Sequence, residues 1–86
     1  MELSEKEKKC LRLLAKWSKG KKVNVQRDEV MQALDIDDDA YVSIIKMMDS
    51  FRLIEKVVHG VGNLYEAFKI KEYEIYQEAC DMYGIE

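Results

Sequence analysis

Residues 33–56, Ala-Leu-Asp-Ile-Asp-Asp-Asp-Ala-Tyr-Val-Ser-Ile-Ile-Lys-Met-Met-Asp-Ser-Phe-Arg-Leu-Ile-Glu-Lys, decide how the chain is read. Tyr41, Ile44, Ile45 and Met48 recur at the spacing of one helix face, which predicts a helix over 38–51. Leu34-Asp35-Ile36 makes the turn ahead of it. Any of Asp37, Asp38 or Asp39 can cap the helix, because a carboxylate there accepts from free backbone N–H groups and meets the positive end of the helix dipole. Beyond it, Leu53-Ile54-Glu55-Lys56-Val57-Val58-His59 is rich in β-branched residues and predicts a strand over 53–59, mirrored by a second over 64–70. Gly60-Val61-Gly62-Asn63 tolerates positive φ, so the two strands are expected to form a hairpin.

Toward the N-terminus, Ser4 and Glu7 form a capping box that starts a helix over 4–19. Cys10, Leu11, Leu14 and Trp17 make its buried face, and Gly20 is expected to end it in the left-handed conformation. Lys9, Arg12, Lys16 and Lys19 form a stripe on another face, read as solvated exterior. Val23-Asn24-Val25 fits a short edge strand over 23–25, and Val30, Met31 and Leu34 give an inward face to a helix over 28–34. At the other end a helix is expected over 72–83, stopped by Gly84. Tyr73, Tyr76, Cys80 and Tyr83 form one apolar stripe on it, with Ile75, Ala79 and Met82 an adjacent one. Two stripes exceed what one intramolecular contact needs, so Tyr73, Tyr76, Ala79, Cys80 and Tyr83 are the expected surface of a homodimer.

Eighty-six residues with 48% apolar content make one domain, residues 1–86, with a single modest core. Charges interrupt every apolar run short of membrane-spanning length, and the first residues lack the apolar centre of a signal peptide; a cytoplasmic protein without a membrane partner is expected. Cys10 and Cys80 belong to no Cys-x-x-Cys or Cys/His cluster, so two reduced thiols are expected, with no metal. Asp35, Asp37 and Asp39 stand at the first, third and fifth positions of a calcium loop, but Ala40 replaces its glycine and Lys46 its bidentate glutamate. One histidine, no phosphate-binding loop and no nucleophile–base pair argue against an enzyme; neither catalytic residues nor a cofactor are expected. The net charge of −3 divides unevenly, residues 1–27 carrying +6 and residues 28–86 carrying −9. That polarity bears on partners.

The order helix, strand, helix, turn, helix, two-stranded hairpin over roughly Ser4 to Ile70 resembles the winged helix-turn-helix superfamily. Its most specific part is the stretch from Ala33 to Lys56, which looks like that family's turn, recognition helix and entry to the wing. The resemblance implies an α+β, mostly helical fold with a two-stranded wing, here with an additional C-terminal helix. Carried over by position, it implies that Asp38, Asp39, Val42, Ser43 and Lys46 project where DNA-reading members meet the major groove, with Gln26 and Arg27 near phosphate. A winged-helix DNA-binding protein, a transcription regulator acting as a homodimer on double-stranded DNA, would then use Lys21, Lys22, Gln26 and Arg27 on the backbone and Ser43 and Lys46 as readers.

Two departures from the DNA-binding pattern leave a second use open. Three consecutive aspartates forfeit the counterion-release gain of a basic face and add repulsion to phosphate. From His59 to Glu66 there is no Arg or Lys, whereas wings entering a minor groove commonly carry one. The alternative is a protein-interaction module in which Asp38, Asp39, Val42 and Met47 bind a basic partner segment, without DNA.

Overall fold

The computed structural model describes residues 3–56 and 66–85. The architecture is α+β and mostly helical, in the order α1 (Glu5–Lys19), β1 (Asn24–Gln26), α2 (Arg27–Leu34), α3 (Asp38–Ser50), β2 (Ile54–Lys56), β3 (Ala67–Ile70) and α4 (Tyr73–Met82). Among the described residues no helix is long and apolar enough to cross a membrane.

The capping box starts α1 as its sequence requires. The Glu7 N–H donates to Ser4 Oγ at 3.2 Å, and the Ser4 N–H donates to Glu7 Oε1 at 2.7 Å. Of the three aspartates ahead of α3, Asp37 is the cap, its Oδ1 accepting from the Ala40 N–H at 2.9 Å. Asp38 and Asp39 thereby fall in the first turn of the helix, where the dipole favours them.

The helix ends correct one expectation. Gly20 has φ −80°, and the left-handed residue is Lys21, at φ +65°. Lys21 N–H donates to Ser18 O and Lys22 N–H to Trp17 O, both at 2.9 Å, which is the double hydrogen-bond pattern of a Schellman motif. The same pattern closes α3 around Arg52 (φ +59°) and α4 around Gly84 (φ +67°), while a related turn closes α2 at Asp35 (φ +53°). Where glycine is absent, the hydrogen bonds and the burial of the next apolar residue, Leu53 after Arg52, hold the strained residue in place.

β1, β3 and β2 form a three-stranded antiparallel sheet with β3 in the middle. Val25 lies opposite Phe68 on one side of it, and Ile54 lies opposite Ile70 on the other. β1 starts at Asn24, one residue later than the spacing predicts. Val23 stays 57% exposed and only its carbonyl joins the sheet, accepting from the Ile70 N–H at 2.8 Å. The expected hairpin is present at its base, as the β2–β3 pairing; its turn at 60–63 lies outside the described residues.

One core joins all elements. Leu11, Leu14, Val25, Val30, Tyr41, Ile45, Met48, Phe68 and Tyr76 are fully buried in it. Tyr76 ties α4 to the sheet: its hydroxyl donates to Leu53 O at 2.6 Å and accepts from the Lys71 N–H at 2.9 Å, bridging the start of β2 and the end of β3. Cys10 is fully buried in α1, and burial, helped by the nearby Glu7 charge, pushes its thiol up to about 12.

Candidate functional site

The exposed side of α3 and the start of α2 meet at one corner of the molecule. At about 100° per residue, Asp39, Ser43, Lys46 and Ser50 fall together on the face of α3 opposite buried Tyr41, Ile45 and Met48. All four are exposed. Ser43 and Ala40 border a shallow cleft whose far wall is Ser4, Lys6 and Glu7 of α1. Lys6 is fixed there by donating to Leu34 O at 2.6 Å, which satisfies a carbonyl at the end of α2.

Arg27 is the cation that the sequence offers to phosphate at this corner, and it is already engaged. Its Nη1 lies 3.5 Å from Asp38 Oδ1 and 3.7 Å from Glu66 Oε1, and its backbone N–H donates to Glu66 O at 3.0 Å. Both carboxylates are well exposed, so each pair contributes under about 1 kcal/mol to stability. What matters more is the local charge. One guanidinium sits among Asp28, Asp38 and Glu66, and Asp39 is the next residue of α3, so the corner is net negative.

The other expected phosphate contacts divide. Lys22 is bound to Glu29 at 2.7 Å and lies over the Trp17 ring at 5.6 Å. The hydrogen bond from Lys22, then that from the Gln26 N–H, holds the Glu29 carboxyl below its ordinary range. Gln26 leads into α2, its backbone N–H donating to Glu29 Oε2 at 2.9 Å, and the residue is exposed. Lys21, Ser43 and Lys46 are exposed and form no salt bridge among the described residues. Lys22 and Arg27 thus each have a carboxylate of a neighbouring element beside them.

The alternative partner set is also divided. Asp38 and Met47 are nine residues apart, which puts them about 180° apart around α3. Val42 lies on the flank nearer Asp38, while Met47, half-buried, packs against the core on the other side. Asp38, Asp39 and Val42 can share one contact surface, and Met47 belongs to another.

Of the five residues expected to form a dimer surface on α4, Tyr76, Ala79 and Tyr83 pack within the chain. Tyr76 is fully buried and Ala79 is 7% exposed. Tyr83 stacks on Phe51 with ring centroids 6.0 Å apart, and Tyr73 and Cys80 line a groove against α1, where Lys19 lies 5.7 Å over the Tyr73 ring. Most of the stripe is used because α4 packs on both α1 and the end of the sheet, two contacts where the sequence suggested one, while Tyr73 and Cys80 stay half-buried at the groove.

No three His, Cys, Asp or Glu residues among those described approach closely enough to hold a metal. The Tyr41 hydroxyl and Arg27 Nε are buried and have no hydrogen-bond partner among the described residues. Burial pushes the Tyr41 phenol up to about 12, against a smaller opposing effect of the Arg27 charge. Glu66 is the residue that sequence reading missed. Nothing local marks it, because its role depends on β3 arriving beside α2. No protein-family model, no curated protein and no solved structure matches the chain.

Proposed function

We propose that the chain is a winged-helix domain that works as a protein-docking module, presenting the acidic corner of α3 and α2 to a basic segment of a partner. The winged-helix reading rests on the element order, on the three-residue turn Asp35–Asp37 between α2 and α3, and on β1 pairing with a strand that also pairs with β2. The docking reading rests on one observation above all: Arg27 is bracketed by Asp38 and Glu66. A phosphate approaching this corner meets more carboxylate than guanidinium, and repulsion replaces the counterion-release gain that drives nucleic-acid binding. A lysine or arginine of a partner meets the reverse, with the half-buried Val42 beside Asp38 and Asp39 to cover an apolar residue of the same segment.

DNA binding by a homodimeric regulator is the second reading. Its support is that Ser43 and Lys46, the expected readers, are exposed and that Lys46 has no salt bridge among the described residues. Amide chemical-shift mapping with a Lys/Arg-rich amphipathic peptide separates the two. Docking predicts shifts at Asp38, Asp39 and Val42 that disappear in Asp38→Lys/Asp39→Lys; shifts unaffected by that double substitution would contradict it.

A further inference from the structure

The outer faces of α1 and α4 carry opposite charges at the same spacing. Arg12, Lys16 and Lys19 stand at i, i+4 and i+7 on α1; Glu74, Glu78 and Asp81 stand at i, i+4 and i+7 on α4. All six are exposed, and none of the six is in a salt bridge among the described residues. The two helices lie side by side and run antiparallel. Lys19, at the end of α1, covers the ring of Tyr73 at the start of α4, while Arg12 and Asp81, nearer the opposite ends, line the same groove as Cys80. Between them runs an open groove of about 500 Å³ whose apolar lining is Ala15, Tyr73, Cys80 and Ile85.

We infer that this two-helix surface docks a second copy of the chain, about a two-fold axis lying along the groove. Such an axis keeps each residue at its own level along the helices and exchanges the two sides, so α1 of one copy lies over α4 of the other. Arg12 is level with Asp81 within the chain, and Lys19 with the start of α4 beside Glu74. The rotation therefore sets Arg12 opposite Asp81, Lys16 opposite Glu78 and Lys19 opposite Glu74 of the second copy, and repeats all three pairs by symmetry. The apolar groove residues meet on the axis. The second copy is the occupant that matches in charge, spacing and level at once, and the contact closes as a dimer instead of extending into a filament. This surface is separate from the acidic corner at α3 and stands or falls independently of it.

The two faces span about two turns each, so the interface is small and its affinity leans on charge. Sedimentation velocity at rising protein concentration provides the test. Wild type is expected to dimerise in about 20 mM salt, and the dimer to weaken by about tenfold or more near 500 mM as screening shortens the reach of the charges. Arg12→Glu/Lys16→Glu/Lys19→Glu makes both faces acidic, and Glu74→Lys/Glu78→Lys/Asp81→Lys makes both basic. Each variant alone is expected to stay monomeric with a wild-type circular-dichroism spectrum, and an equimolar mixture of the two to give a one-to-one heterodimer. In the wild-type dimer Cys80 should also be alkylated more slowly at high protein concentration than at low. A wild-type monomer at low salt, self-association of either variant at wild-type strength, or a mixture that fails to associate would each overturn the inference.

Discussion

Replacing Tyr76 by Phe removes one oxygen and unties three elements at once. The hydroxyl donates to Leu53 O and accepts from the Lys71 N–H, so the change leaves a carbonyl at the start of β2 and an N–H at the end of β3 without their partner. Leu53 is 5% exposed and Lys71 is half-buried, so water replaces the lost bond poorly at the first and partly at the second. At about 1–3 kcal/mol for each buried group left unsatisfied, with the Lys71 group at the low end, the expected loss is about 2–3 kcal/mol. A domain of this length has about 4–13 kcal/mol in total. Urea denaturation followed by circular dichroism measures the difference, with Tyr73→Phe, whose ring lies in the groove, as a control expected within about 0.5 kcal/mol of wild type. A Tyr76→Phe loss below about 0.5 kcal/mol would refute the view that this hydroxyl anchors α4 to the sheet.

Alkaline titration should destabilise the fold early. Burial raises Cys10 from 9.0 to about 12 and Tyr41 and Tyr76 from 10.0 to about 12, so the unfolded chain releases these protons first. Stability is complete below about pH 9 and falls from there toward pH 12, each group adding about 1.4 kcal/mol per pH unit once it has ionised in the unfolded state. In Cys10→Ala the decline between pH 9 and 10 should flatten; an unchanged slope there removes the thiol from the account. Lys21→Gly and Arg52→Gly should each stabilise the fold by up to about 1 kcal/mol, read as a higher urea midpoint, since glycine relieves a left-handed residue while costing unfolded-state entropy. A loss in either would mean that its side chain contributes more than its backbone strain costs. Ellman's reagent should titrate Cys80 in the folded protein and reach Cys10 only on unfolding; rapid reaction of both thiols contradicts the burial of Cys10.

The buried half of the chain was largely legible in its order. Tyr41, Ile44, Ile45 and Met48 follow helix periodicity because their face packs on one core, and Ser4, Glu7 and Asp37 act within four residues, where sequence spacing and spatial distance coincide. The left-handed residues Lys21 and Arg52 were not legible, because the hydrogen bonds around them, with buried Leu53 after Arg52, and not the residue itself, force the conformation. The candidate site was half legible. The aspartates at the start of α3 were visible as charge, but Glu66 reaches Arg27 only through sheet pairing. The first apolar stripe of α4 looked surplus because nothing in a linear pattern says that one helix packs on two neighbours, while Met82 of the second stripe does stay 77% exposed. Likewise the stripes of Lys/Arg on α1 and of Asp/Glu on α4 have matching spacing in the sequence, and only the antiparallel packing of the two helices gives that match a meaning.

The acidic corner is most directly tested by fluorescence anisotropy of a labelled pool of random-sequence duplex DNA, titrated at about 50 mM salt with wild type and with Asp38→Lys/Asp39→Lys. A docking module with Arg27 held between two carboxylates predicts no binding by wild type and salt-sensitive binding by the charge-reversed variant. Wild-type binding that weakens steeply with salt, and that Ser43→Ala/Lys46→Ala abolishes, would contradict the account and make α3 a DNA-reading helix.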